Sequence, residues 1–189
     1  MAELERMMVF VDGTNFLVQL SKHSGLDFRA EKPQWAAISM AAELLKQYNL
    51  FKKIKLIRKY WFASYIGSEE SLIEYRSQLR QRGFEPKLFR KRGNREKGVD
   101  IALTKEMLVN AFQQNCDLVV LVAGDEDYVE LIEEVKRYGQ RIHGLFFQEG
   151  LSEHLRLAFD SFAYIDQNGF GPSYDSLKKA IADMVKPDK

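Results

Sequence analysis

The sequence predicts an α/β fold, a central and mainly parallel sheet flanked by helices in three layers, and three observations predict it. Short apolar runs bounded by turn signals alternate with stretches of helical period, the pattern of βαβ units. Two of those runs, "MMVFV" and "LVVLV", are continuously apolar rather than alternating, as strands covered on both faces are. A length of 189 residues with 46% hydrophobic and 29% charged residues suits one domain around a single core.

The elements follow in order. "MMVFV" is the first strand, and "PQWAAISMAAELLKQY" a helix whose Pro33 suits a first turn, where a missing N–H costs nothing. "KIKLIRKYWFA" is the second strand. "EESLIEYRSQLRQR", residues 69–82, is an amphipathic helix with acids first and bases last, complementing its dipole, and Gly83 ends it. "FEPKLFR" is a third strand, placed near an edge by Pro86. Residues 97–114 return to helical period, "DLVVLVA" is a fourth strand, and "DYVELIEEVKRYG" is a helix closed by Gly139. "RIHGLFF" is a fifth strand, followed by a short helix near 152–160, a weak strand "FAYID", the turn "NGFGP" and a final helix from Ser173 to Val185. The main domain spans 1–166. Residues 167–189 are a turn and helix that pack on it, extend it or form an oligomer contact.

Composition narrows the function classes. A formal net charge of +1 gives no global pull toward nucleic acid, so such a partner needs a local patch. The single Cys116 forms no internal disulfide and reads as a small core residue in a reducing cytosol. The acidic "MAELERMMVF" start and the lack of any apolar run of spanning length predict a cytoplasmic chain with no membrane contact.

Both continuously apolar strands end in acid. Asp12 follows the first directly, and "AGDEDY" sets Asp125 and Asp127 just past the fourth. In open α/β sheets ligands bind outside the carboxyl ends of the strands, where strand order reverses, so these carboxylates are expected to converge there. Asp100 opens the helix "KGVDIALTKEML" and shares a stripe with Leu103, Met107 and Ala111, which turns it toward the same edge. Each acid alone has an ordinary explanation: a turn residue for Asp12, a dipole partner for Asp100, helix caps for Asp125 and Asp127. Together they repel one another unless a cation intervenes, and hard oxygen donors suit Mg²⁺ or Mn²⁺. Thr14 and Asn15 stand beside Asp12 as neutral groups able to orient a carboxylate or cap a helix. Glu106 is expected on a solvated face, outside the site.

Between the third strand and the Asp100 helix, "KLFRKRGNREKG" carries Lys87, Arg90, Lys91, Arg92, Arg95 and Lys97 against the single acid Glu96. A cationic loop beside an acidic site suits a phosphodiester, the loop holding the backbone and the metal taking the scissile phosphate. A solvated loop is the plainer explanation. Of Tyr60, Trp61, Phe62 and Tyr65, only Tyr65 lies beyond the expected strand end, where a base can stack on it. His23, His143 and His154 match no ligand spacing.

"FVDGTNF", "KGVDIALTKEML" and "LVAGDEDYVELIEEVKRYG" resemble the three signature segments of NYN domains, specifically the LabA-like branch of the PIN-like nuclease superfamily, and the resemblance spans residues 7–166. It places the family's Asp and Asn at Asp12 and Asn15, its helix-start Asp at Asp100 after Lys97, and its Gly-Asp-x-Asp acids at Asp125 and Asp127. Glu126 stands where the family often has Ser. The resemblance implies a Rossmann-like, PIN-like fold and a divalent-metal site that hydrolyses RNA.

The expected activity is therefore a metal-dependent ribonuclease. One or two Mg²⁺ or Mn²⁺ ions on Asp12, Asp100, Asp125 and Asp127, with Asn15 beside them, turn water into a nucleophile whose in-line attack leaves a 5′ phosphate. Lys97, Arg95, Arg92, Lys91, Arg90, Thr14 and Tyr65 are the expected contacts to a single-stranded RNA. Two alternatives stand beside it. The domain binds RNA or a protein with little or no catalysis, or "DGT" and "GDED" mark a haloacid-dehalogenase-type phosphatase. The phosphatase needs a nucleophilic Asp at the place of Phe10, and a phenyl ring cannot attack phosphorus.

Overall fold

Strand β1 (Arg6–Asp12) is buried from Met7 to Asp12, because neighbouring strands pair with it on both sides. In the computed structural model, which describes residues 4–24, 34, 37–43, 45, 54–90, 98–166 and 179, β1 forms the middle of a six-stranded sheet. The order is β3-β2-β1-β4-β5-β6, with β2 (Lys55–Tyr65), β3 (Glu85–Arg90), β4 (Leu118–Val122), β5 (Arg141–Phe146) and β6 (Ser161–Tyr164). Every pairing is parallel, so every connection crosses a face of the sheet.

The alternation of β1 divides the core in two. Met7, Val9 and Val11 point to a layer containing α1 (Gly13–Ser24), the helical residues 37–43, and Tyr75 and Leu79 of α2 (Glu69–Gln81). Met8 and Phe10 point to the opposite layer of α3 (Val99–Phe112), α4 (Val129–Arg137) and α5 (Glu153–Ala158). Continuous apolarity in β1 and β4 is the consequence of having a helical layer on both faces. Pro86 lies in β3, an edge strand, as its missing N–H requires.

Helix α1 is an element the sequence pattern had not separated from the turn after β1. It starts at Gly13 with no intervening loop and buries Phe16, Leu17 and Leu20. Its first turn, Gly-Thr-Asn, reads as a turn by composition; the tertiary contacts of those three apolar side chains override it. The expected helix at 127–139 is split into a 3₁₀ turn (Glu126–Tyr128) and α4. Gly98 precedes α3 with φ +119°, a backbone conformation in which a side chain would be strained, and this fixes where Asp100 enters the helix.

Glu106 differs from expectation. Its carboxylate is 3.0 Å from Lys87 Nζ, and its carbonyl accepts from Asn110 Nδ2 at 2.8 Å, so it is a paired, half-buried group rather than a solvated one. The lysine holds the Glu106 carboxyl below its usual range against the opposing effect of burial. The final helix expected at 173–185, and the tail 167–189 with it, lies outside the described residues except for Lys179. No helix among the described residues is long and apolar enough to cross a membrane.

Candidate acidic site at the sheet switch point

Strand order reverses at β1. The chain moves from β1 to β2 and β3 on one side, then returns to place β4 on the other. That reversal leaves a crevice between the carboxyl ends of β1 and β4, and a cavity of about 170 Å³ lies there. Asp12, Thr14, Asn15, Val18, Val99, Asp100 and Asp125 line it. Three carboxylates from β1, α3 and the turn after β4 therefore share one cavity, and among the described residues no Lys or Arg lines it.

Asp12 is the last residue of β1 and is only 5% exposed. Its Oδ1 accepts the Asn15 backbone N–H at 2.9 Å, satisfying a donor in the first turn of α1 that has no helical partner. Its Oδ2 accepts the Tyr128 hydroxyl at 2.9 Å. The same hydroxyl lies 3.1 Å from Asp100 Oδ1. Burial pushes the Asp12 carboxyl up to about 6, helped by the charges of Asp100 and Asp125 and opposed by the Asn15 and Tyr128 hydrogen bonds. Burial and the two neighbouring carboxylates also raise the Tyr128 hydroxyl well above its ordinary value, so it remains a donor.

The scaffold around these groups is tied across the switch point. Asn15 Oδ1 accepts the Gly124 N–H at 3.0 Å, and the Gly124 carbonyl accepts the Ser152 N–H at 2.9 Å. A side chain at position 124 would meet the Gly150 carbonyl and the Phe146 ring, so glycine is what permits this close approach. Asp125 Oδ1 accepts the Asp127 N–H at 3.2 Å and caps the 3₁₀ turn. Thr14 Oγ1 accepts the Ser64 N–H at 2.9 Å, fastening α1 to β2.

The expected site residues separate into three groups. Asp12, Thr14, Asn15, Asp100 and Asp125 meet in the cavity. Asp127, in the 3₁₀ turn, is exposed and is not among the lining residues. Arg90 lies at the end of the edge strand, donating to the Gly67 carbonyl at 3.2 Å with Glu69 4.0 Å away. Tyr65 is half-buried, its hydroxyl bonded to Ser71 Oγ and its ring centroid 5.8 Å from that of Tyr75. Lys91, Arg92, Arg95 and Lys97 lie outside the described residues.

Tyr128 is the residue the sequence reading did not assign. The available signal was a large side chain with one polar tip, set immediately after Asp127, in a segment whose apolar positions face the core. Exposed His154 lies outside the cavity, with Nδ1 3.2 Å from Glu126.

Among the described residues, no three His, Cys, Asp or Glu side chains are grouped as a metal ion would need them. The donor chemistry nevertheless suits a hard divalent cation. Three carboxylates share a cavity with no basic lining residue among the described residues, and Asp12, raised chiefly by burial, is raised further by the charges of Asp100 and Asp125.

A family model for the NYN domain matches residues 6–166. No curated protein matches the chain. A solved structure of a protein of unknown function from Vibrio parahaemolyticus is similar over 88% of this chain and 96% of that one, with a TM-score of 0.63 and 22% identity. At that identity the likeness establishes a shared fold.

Proposed function

The chain belongs to the NYN domain family, within the PIN-like superfamily, and from this premise we propose that it is a divalent-metal-dependent ribonuclease acting at the cavity of Asp12, Asp100 and Asp125. The observation that carries the reading is the meeting of these carboxylates at the switch point, where no cationic side chain among the described residues lines the cavity. The ligand set is proposed to be these three residues, Asp127 standing outside the cavity. The three signature segments support a place in the LabA-like branch.

Mg²⁺ or Mn²⁺ bound there would neutralise charge on the scissile phosphate and make water a nucleophile. The chain's own contribution is placement. Asp12 is fixed by two hydrogen bonds at the end of a buried strand, so its carboxylate cannot swing away. Asn15 holds α1 to the end of β4, setting the width between Asp12 and Asp125. Val18 and Val99 give the cavity apolar walls, which strengthen electrostatic interactions inside it. The substrate is proposed to be single-stranded RNA, with the basic segment from Arg90 to Lys97 on its backbone.

The test incubates a labelled single-stranded RNA with the protein and Mn²⁺ or Mg²⁺, with and without EDTA, beside calorimetric titration of the metal. Metal-dependent cleavage is expected. A second reading is an RNA- or protein-binding domain with weak or no catalysis, and the absence of a grouped metal site among the described residues favours it. Metal binding or RNA binding without cleavage would select that second reading. The phosphatase alternative meets a further obstacle: Phe10 is fully buried and stacked on Tyr60 at 5.1 Å between ring centroids.

A further inference from the structure

We infer that Tyr128 is a positioning residue that presets the metal-binding geometry of Asp12 and Asp100 from the buried side of the cavity. This rests on reading the cavity as a cation site.

Three observations support it. The Tyr128 hydroxyl is within hydrogen-bonding distance of both carboxylates, 2.9 Å from Asp12 Oδ2 and 3.1 Å from Asp100 Oδ1. Those acids come from different elements, β1 and α3, and Tyr128 from a third, the 3₁₀ turn after β4. Tyr128 is 2% exposed and is not among the residues lining the cavity, whereas Asp12 and Asp100 are. The hydroxyl thus shares its single proton between one oxygen of each carboxylate from the buried side, leaving Asp100 Oδ2 and, beside the Asn15 N–H that it already accepts, the second lone pair of Asp12 Oδ1 for a ligand.

The chemistry makes such a clamp consequential. Asp100 lies in the first turn of α3 and is exposed, and Tyr128 is the side chain that ties its carboxylate to Asp12 among the described residues. Without the clamp, a cation would have to order the Asp100 side chain as it binds. Groups that hydrogen-bond a ligating carboxylate typically change metal affinity by about tenfold to a hundredfold when removed. The ring is independently anchored in the layer of Val99, Leu103 and Leu131, so the hydroxyl can be deleted while the ring stays packed.

The experiment is calorimetric Mn²⁺ titration of the wild-type protein, Tyr128→Phe, Asp100→Asn and the double variant, with thermal unfolding of each as a check of the fold. Tyr128→Phe is expected to weaken Mn²⁺ binding about tenfold or more. In the Asp100→Asn background the same change is expected to cost much less, because part of what the hydroxyl positions is gone. An unchanged or tighter Mn²⁺ affinity in folded Tyr128→Phe would overturn the inference while leaving the cation site standing. Failure of the wild-type protein to bind Mn²⁺ would overturn both. Where Tyr128→Phe does not fold, the wild-type protein decides. The hydrogen-bonded Tyr128 hydroxyl proton should persist and shift in the NMR spectrum as Mg²⁺ saturates the site, and its disappearance would show the cation taking the hydroxyl's place.

Discussion

The side-chain carbonyl of Asn15 accepts the backbone N–H of Gly124 at 3.0 Å, joining the start of α1 to the end of β4 across 109 residues of sequence. This bond spans the crevice whose two rims carry Asp12 and Asp125. Gly124 is buried, so its N–H has little recourse to water. Asn15→Ala should destabilise the protein by about 1–3 kcal/mol, the cost of orphaning a buried donor, measured by urea unfolding. A midpoint within error of wild type would show that the bond holds nothing in place.

Asp12 makes the metal-free protein sensitive to pH. Its folded-state pKa, about 6, lies above the ordinary 3.8, so the folded form binds its proton more tightly than the unfolded chain does. That contribution to stability is fully present below the ordinary value and is lost as pH rises through about 6. The size is about 3 kcal/mol. Because the lowered carboxyls of Glu106 and Asp117 act in the opposite sense, the comparison is with Asp12→Asn, which should lose less stability than wild type between pH 4 and pH 7 in EDTA. Parallel pH profiles would contradict the assignment.

Cleavage should separate the acids by position. Asp12→Asn and Asp125→Asn are expected to lower metal-dependent RNA cleavage at least about 100-fold, since a cation's contribution to such a reaction is several kcal/mol. Asp127→Asn, outside the cavity, should stay within about twofold of wild type. Equal loss in all three would return Asp127 to the ligand set.

Gly124→Ala tests how tightly the far rim is packed. The added methyl meets the Gly150 carbonyl and the Phe146 ring, neither of which is the loose end of a flexible chain. A loss of about 1–3 kcal/mol or more is expected from thermal or urea unfolding. Wild-type stability would show that the far rim accommodates a methyl group without cost.

Much of the site was legible because hydrophobic patterning fixes where buried strands end. "MMVFV" and "LVVLV" have no polar interruption, so the acids that follow them mark one edge of the sheet. Asp100 was legible by helical phase, since Leu103, Met107 and Ala111 on its stripe are all buried. What escaped was decided by tertiary contact. α1 begins with residues that favour turns and is helical because Phe16, Leu17 and Leu20 find the core. Asp127 is exposed within the 3₁₀ turn after β4 and does not line the cavity. Tyr128 carries no local mark of its two carboxylate partners, 28 and 116 residues away.

The pairing of β1 with β4, Met7 through Val11 beside Leu118 through Val122, also bears on how the molecule is made. A growing polypeptide has Asp12 early, yet it cannot close the crevice until β4 and the turn beyond it have been synthesised. Such distant pairing makes folding slow relative to that of helical bundles, and it makes the acidic centre indivisible. A fragment ending before β4 carries Asp12 and Asp100 but neither Asp125 nor the second rim of the crevice.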